Sequence, residues 1–362
     1  MRPPLDPGHS TPIAGRSKTE RPGRHSGVLQ RRRRRVAGLN CGLPILWAIA
    51  TIIARQANAA SRAVQSAGWA VPGRLPSTFK EAGGVPHGEE FFEGYGGLAL
   101  YRQWWLPEAT ARAVVAIQHG LSEHSGRYAA LAHVLNQHGY AVYAIDLRGH
   151  GRSAGARVWI RRFEQYLADL EVFVAGVRSA GRGKPLFLFG HSMGAIISAR
   201  YCITRQPELQ GLILSAPAVL VGGSVYPILR RVAAVASYIV PWLRTVRLGC
   251  RFASRDPAVV AAFENDPLSF HGRLPVRTAA EIFRAARLLR AEADKLRLPL
   301  LILHGTADVV ADYRGSRMLY QSASSADKTL KLYQGLYHEV LSEPEKDFVL
   351  ADMLAWLDAR AK

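Results

Sequence analysis

A doubly wound, mostly parallel α/β sheet carrying an inserted helical cap is the fold class this sequence predicts, on three observations. Short, wholly apolar runs recur with helix-length segments between them, the alternation that builds a parallel sheet covered on both faces. Polar, glycine-rich clusters stand at the C-terminal ends of those runs, where open α/β sheets hold their ligands. One stretch, Ala218 to Leu298, breaks the rhythm with apolar segments such as Val225 to Val240 and a Pro241-Trp242 break. A structureless loop of that length is foreign to a compact domain, so a helical cap over about 218–298 is expected.

At 362 residues, 48% of them apolar and 21% charged, the chain can bury one large core or two small ones. Its formal charge of +19 is unevenly placed: residues 1–80 hold fourteen Lys and Arg against two acids, a net +12, which leaves +7 for residues 81–362. That mildly basic remainder has no basic helix interleaved with stacking aromatics, so it does not read as a nucleic-acid binder. Cys41, Cys202 and Cys250 supply neither a disulfide framework nor a C-x-x-C metal spacing. Cys202 reads as a small core residue. No internal repeat is visible.

Residues 1–30, rich in Pro, Gly, Ser and Arg, are expected to be disordered. Arg31 to Arg35, the apolar run Val36 to Ala54 and Ala57-Asn58-Ala59 compose a charged, apolar and small-residue series like that of a secretory leader, with a twin-arginine route open. An uncleaved membrane anchor and an over-extended start compete with it. The first two readings make the protein exported or membrane-associated, the third cytoplasmic. Residues 1–80 are therefore set apart as an extension, with the leader or anchor at 31–59, from a folded domain at 81–362. Pro72, Gly73, Pro76, Gly83, Gly84 and Pro86 mark the linker between them.

Patterning begins with a hairpin, Phe91 to Gly97 and Leu98 to Trp105, turned by glycines. Ala113 to Ile117 is a buried strand ending in Gln118-His119-Gly120-Leu121, and Tyr128 to His138 carries helical spacing. Ala141 to Ile145 is a strand ending at Asp146, and Phe163 to Arg178 is a helix. Leu186 to Phe189 is another strand, followed by Gly190-His191-Ser192-Met193-Gly194 and a helix from Ala195 to Arg205. Strand, G-x-S-x-G, helix describes a nucleophile elbow, in which small residues on either side of the serine let strand and helix approach. Gly211 to Leu214, Leu300 to Leu303 and Thr329 to Tyr333 are further strands. Pro344 to Arg360 closes the chain as an amphipathic helix with a Phe348, Leu350, Met353, Leu354, Leu357 face.

A serine hydroxyl attacks well only when a neighbouring base takes its proton, and elbow enzymes order these groups as serine, acid, histidine. Downstream of Ser192, Asp308 stands in a short loop four residues past a strand, with Asp312 as the fallback acid. His338 is the only histidine after His304 and is the expected base. The negative oxygen of a tetrahedral intermediate needs N–H donors; the backbone of Met193 and of Leu121 are the expected pair. His119, His124, Arg127, Asp146, His150, His191 and His304 are read as loop-fixing residues, the two elbow-side histidines by bonding loop backbone. No metal site is expected, since these histidines are read as lacking an i, i+4 pairing with carboxylates, and no cofactor is required.

The run His119-Gly120-Leu121-Ser122-Glu123-His124-Ser125-Gly126-Arg127-Tyr128, the loop Asp146 to Ser153, the elbow Gly190 to Gly194, Asp308 and Tyr337-His338-Glu339 together resemble the monoacylglycerol lipase and lysophospholipase branch of the α/β-hydrolases. The resemblance covers about residues 87–360. It implies an α/β-hydrolase fold, nucleophile Ser192, acid Asp308, base His338, oxyanion donors Leu121 and Met193, and a helical cap with an apolar channel for one acyl chain. Ala195 departs from the family's second glycine. The implied activity is hydrolysis of monoacylglycerol or a similar single-chain lipid ester, with a pH profile rising near the pKa of histidine. Lysophospholipase or broad carboxylesterase activity is the alternative, and a non-catalytic ligand-binding protein on the same fold is the rival from another class. Membrane-surface association through Arg31 to Arg35 is a separate expectation.

Overall fold

The computed structural model describes residues 79–80, 86–221, 235–247, 249 and 251–361. The expected disordered stretch 1–30, the leader or anchor at 31–59, all of the linker but Phe79, Lys80 and Pro86, Cys41, Cys250 and most of Val225 to Val240 lie outside the described residues.

The strands are β1 (Phe79–Lys80), β2 (Pro86–Glu93), β3 (Ala99–Trp105), β4 (Ala113–Gln118), β5 (Tyr140–Ile145), β6 (Leu186–His191), β7 (Gly211–Ser215), β8 (Arg244–Arg247), β9 (Arg273–Pro275), β10 (Leu300–Gly305) and β11 (Lys328–Tyr333). Among the described residues, nine of them form one sheet in the order β1-β2-β3-β5-β4-β6-β7-β10-β11. The pairs from β1 to β5 are antiparallel, and those from β5 to β11 are parallel. The antiparallel start and parallel body match the expected doubly wound sheet.

Helices α1 (Ala129–Gln137), α2 (Glu164–Ala180), α3 (Met193–Arg205), α4 (Pro257–Asn265), α5 (Val276–Ala291), α6 (Tyr313–Ser322) and α7 (Lys346–Asp358) accompany it. β4, β5, β6, β7 and β10 are buried at every position, which explains their unbroken apolar runs. Alternate residues serve opposite faces. Val114 and Ala116 of β4 join the layer of α2, α3 and α5, whereas Ala113, Val115 and Ile117 join that of α1 and α7. Each fully buried Leu, Ile or Phe in these layers contributes about 1.5–3 kcal/mol. Edge strand β11 carries Lys328 and Lys331, charges that discourage pairing with another chain.

Three local expectations change. The buried face of α7 is Val349, Met353, Trp356 and Leu357, while Phe348 is 74% exposed. Spacing i, i+4, i+7, i+8 puts those four on one stripe, and the Trp356 ring lands 5.9 Å from that of Phe187. The inserted segment also contains a ribbon, β8 paired with β9, too short to show a period of two in the sequence. Its last helix, α5, buries Ile282, Ala285, Ala286 and Leu289 in the same layer as α2 and α3, so it flanks the sheet.

Candidate active site

Strand β6 ends at His191 and α3 starts at Met193, so Ser192 alone makes the turn. It holds φ 54 and ψ −114, a strained conformation for a residue with a Cβ. A Cβ at Gly190 would stand 2.6 Å from the Gly194 carbonyl oxygen, and one at Gly194 would stand 2.3 Å from the His119 carbonyl oxygen. Glycine at both positions is what lets the helix sit so close to β6 and the loop after β4. Ala195 is fully buried in the apolar layer behind the turn.

The chain order serine, acid, histidine becomes a contact order in space. His338 Nε2 lies 2.8 Å from Ser192 Oγ, and His338 Nδ1 lies 2.6 Å from Asp308 Oδ2. A carboxylate only accepts, so Nδ1 carries the ring proton and Nε2 is left bare to accept from the serine hydroxyl. The loops of acid and base are tied together. The Ala307 N–H donates to the Leu336 carbonyl and the Thr306 N–H to the Tyr333 carbonyl. A Cβ on Gly305 would meet the Leu336 oxygen at 2.2 Å.

Asp308 accepts four hydrogen bonds. Its Oδ1 receives the N–H groups of Val310 and Ala311, and its Oδ2 receives His338 and, at 3.0 Å, His304 Nε2. Burial would raise its pKa, but the two imidazoles outweigh burial and hold the carboxyl well below the usual carboxylate range. Burial likewise pulls His338 down, yet the Asp308 charge and hydrogen bond, aided by Glu339 and Glu123, leave it raised above the ordinary histidine value. Asp312, the fallback acid, is occupied elsewhere: it caps α6 by accepting the Arg314 N–H and pairs with that guanidinium.

Gly120 presses on the elbow, its missing Cβ position lying 3.2 Å from Ser192 Cβ. Ser122 just beyond has φ 70, which turns the loop carrying Leu121. Among the described residues, neither the Leu121 nor the Met193 N–H donates to another protein group, and Met193 opens α3 with the positive end of the helix dipole.

The remaining polar residues sort differently from expectation in two cases. His119 does fix loops: Nδ1 bonds the Gly120 carbonyl and Nε2 accepts the Leu147 N–H; burial pushes its pKa down to about 3. Asp146 accepts the N–H groups of Ser125 and Arg152, and His150 bonds the Arg148 carbonyl. His191, expected to bond loop backbone, instead reaches toward the Ser215 hydroxyl at 3.4 Å and lays its ring 4.8 Å from that of His338. Burial, then the neighbouring His338, keeps it neutral. His304 and Asp308 form an i, i+4 histidine–carboxylate pair, contrary to the spacing read from the sequence, and it backs the Asp308–His338 contact. Glu123 and Glu339, unassigned from sequence, flank the same site; with Arg127, Tyr128 and His191 they line a cavity of about 80 Å³.

The family described as serine aminopeptidase, S33, matches residues 109–345. A monoacylglycerol lipase of Mycolicibacterium smegmatis is 38% identical over 269 residues, 74% of this chain and 96% of the relative. Among solved structures, a Paleococcus ferrophilus monoacylglycerol lipase aligns with a TM-score of 0.66 at 32% identity, over 72% of this chain and all but 1% of the other, a coverage of 99%. A soluble variant of the Saccharomyces cerevisiae monoglyceride lipase, in complex with a substrate analog, aligns with a TM-score of 0.70 at 26% identity, covering 80% and 100%.

Proposed function

We propose a function from the premise that this chain belongs to the α/β-hydrolase family described as serine aminopeptidase, S33, in company with the monoacylglycerol lipases: it hydrolyses monoacylglycerol or a similar single-chain lipid ester. The unbroken series Ser192 Oγ, His338 Nε2, His338 Nδ1, Asp308 Oδ2, at 2.8 and 2.6 Å, carries the reading. In it, His338 takes the hydroxyl proton as Ser192 attacks the ester carbon, and the N–H groups of Leu121 and Met193 receive the oxyanion. The proton passes to the departing glycerol oxygen. Water then attacks the acyl-serine with His338 again as base, and the fatty acid leaves.

Ester substrates suit the site better than peptides with a free amino terminus. Binding an ammonium needs an unengaged carboxylate near the serine. Both candidates, Glu123 and Glu339, are engaged by Arg127, and Glu123 also accepts the Gly120 N–H and the Tyr128 hydroxyl. An exposed apolar surface also suits a lipid: Val235, Tyr238, Ile239 and Trp242 are exposed, a stretch that a membrane or micelle would cover. Arg31 to Arg35 would add attraction to anionic lipid, about 1 kcal/mol for each basic residue at the surface.

The test is a panel of monooleoylglycerol, lysophosphatidylcholine, a short soluble ester and an aminoacyl amide, run with fluorophosphonate labelling of Ser192. Fastest turnover on monooleoylglycerol with labelling at Ser192 is expected. Amide cleavage as the dominant activity, or no labelling, would refute the assignment.

The base must be neutral to act, and its pKa is raised. The expected kcat/KM therefore rises with pH through an apparent pKa above the ordinary histidine value of about 6.5 and then levels off. A limb centred below that value contradicts the pairing of His338 with Asp308.

A further inference from the structure

The groups assigned to the reaction ride on two loops. Residues 119–128 bring the Leu121 N–H, and residues 334–342 bring His338. One guanidinium spans them. Arg127 Nη2 donates to both carboxylate oxygens of Glu339, at 2.9 and 2.7 Å, and its Nε lies 3.4 Å from Glu123 Oε2. Glu339 follows His338 directly in the chain. Glu123 Oε1 accepts the Gly120 N–H at 2.5 Å and the Tyr128 hydroxyl at 3.0 Å, next to the residue expected to donate to the oxyanion. The inserted segment closes on the same point: the Phe263 ring of α4 lies 4.8 Å below the Arg127 guanidinium, and the Glu339 N–H donates to the Ala253 carbonyl.

We propose that Arg127 is a positioning residue that clamps the oxyanion loop, through Glu123, to the loop of the base, through Glu339. The clamp fixes the spacing of the two loops and balances the charge that His338 faces. The proposal rests on the reading of Ser192 and His338 as the working pair.

Exposed ion pairs contribute little, but here the side chains of Arg127, Glu123 and Glu339 are 16%, 7% and 13% exposed. Removing Arg127 leaves the largely buried Glu339 carboxylate without its cation and lets Glu123, whose pKa burial already raises to about 7, take up a proton, so the two loops lose their tie. The charges facing His338 are Asp308 at 2.6 Å, backed by His304, and the neutral ring of His191 at 4.8 Å. Farther out stand Glu339, Glu123 and Arg127 itself. Loss of Arg127 leaves the Glu339 charge unbalanced beside the imidazole and favours the imidazolium. Loss of the Glu339 charge does the reverse.

The experiment takes the full chain with Arg127→Met, Arg127→Lys and Glu339→Gln. It measures kcat, KM and the pH dependence of kcat/KM on monooleoylglycerol, with fluorophosphonate labelling of each variant. Arg127→Met is expected to lose about 10²-fold in kcat, the cost of displacing groups by roughly an ångström, with KM within about threefold of wild type. Its acid limb should move to higher pH, and that of Glu339→Gln to lower pH. Arg127→Lys, which keeps the charge but spans less, should keep the wild-type limb and recover part of kcat. Wild-type kcat in Arg127→Met, or limbs that move together or stay still, would overturn the clamp. If Arg127→Met does not fold, the opposed behaviour of Arg127→Lys and Glu339→Gln decides. A wild-type enzyme that neither labels nor turns over would instead refute the functional reading beneath it.

Discussion

Ser192→Ala is expected to lower kcat on monooleoylglycerol by about 10⁶-fold, the loss seen when the nucleophile of a serine triad is removed. KM should stay near the wild-type value. The alanine removes one atom that forms the covalent bond to the acyl group, and it touches nothing that binds the chain. The Ser192 Oγ bonds His338 Nε2 alone among the described residues. The turn is held by backbone, with the Ser192 N–H donating to the Ser215 carbonyl, so the fold should survive and melting should be nearly unchanged. What activity remains would come from water attacking directly, with the N–H donors still in place, about 10³–10⁴ above the uncatalysed rate. Fluorophosphonate labelling should vanish with turnover. A variant that keeps more than about a thousandth of kcat would mean that another group attacks the ester, and the proposal for Ser192 would fall.

How much of this was legible in the chain follows from the range of each interaction. The elbow is local: five residues with a strand before and a helix after specify it, and the glycines at 190 and 194 are demanded by contacts within the turn and with β4. β4 to β7 and β10 were legible because burial on both faces leaves an unbroken apolar run. Asp308 and His338 could be picked out by chain order, since strand ends deliver them in sequence. The unread parts depend on partners far along the chain. Arg127 and Glu339 are 212 residues apart, and nothing near either one announces the other. α6 buries only Gly315, Ser316 and Leu319, too little apolar surface to mark a helix. Of the expected α7 face, Met353 and Leu357 are buried and Leu350 and Leu354 pack on the same core, but Phe348 turns outward and Val349 inward, two residues equally apolar in the sequence that only the position of the sheet tells apart.

Asp308→Asn should lower kcat by about 10⁴-fold, because it upsets the tautomer of the base and leaves the nucleophile untouched. Four donors converge on the Asp308 carboxylate, two backbone N–H groups on Oδ1 and two imidazoles on Oδ2. Asparagine has one oxygen and one NH₂ to offer them. With its oxygen toward Val310 and Ala311, the NH₂ faces His338 Nδ1 and stabilises the tautomer whose Nε2–H points at Ser192 and cannot take a proton. With its oxygen toward the imidazoles, the NH₂ meets two backbone donors that cannot move. The charge that raises the His338 pKa is lost in both orientations, so the acid limb of any residual activity should shift to lower pH. Stability carries a matching signature. A carboxyl whose folded pKa is depressed stabilises the fold fully above its unfolded pKa of about 3.9 and loses that contribution as pH falls toward the folded value. The gap in stability between wild type and Asp308→Asn should thus be complete at neutral pH and close below about pH 4. Asp312→Asn is the control, since asparagine caps a helix as well as aspartate and Asp312 spends its side chain on α6 and Arg314. Its kcat should stay within about threefold of wild type, whereas a Ser-His-Asp arrangement built on Asp312 would reverse the two results.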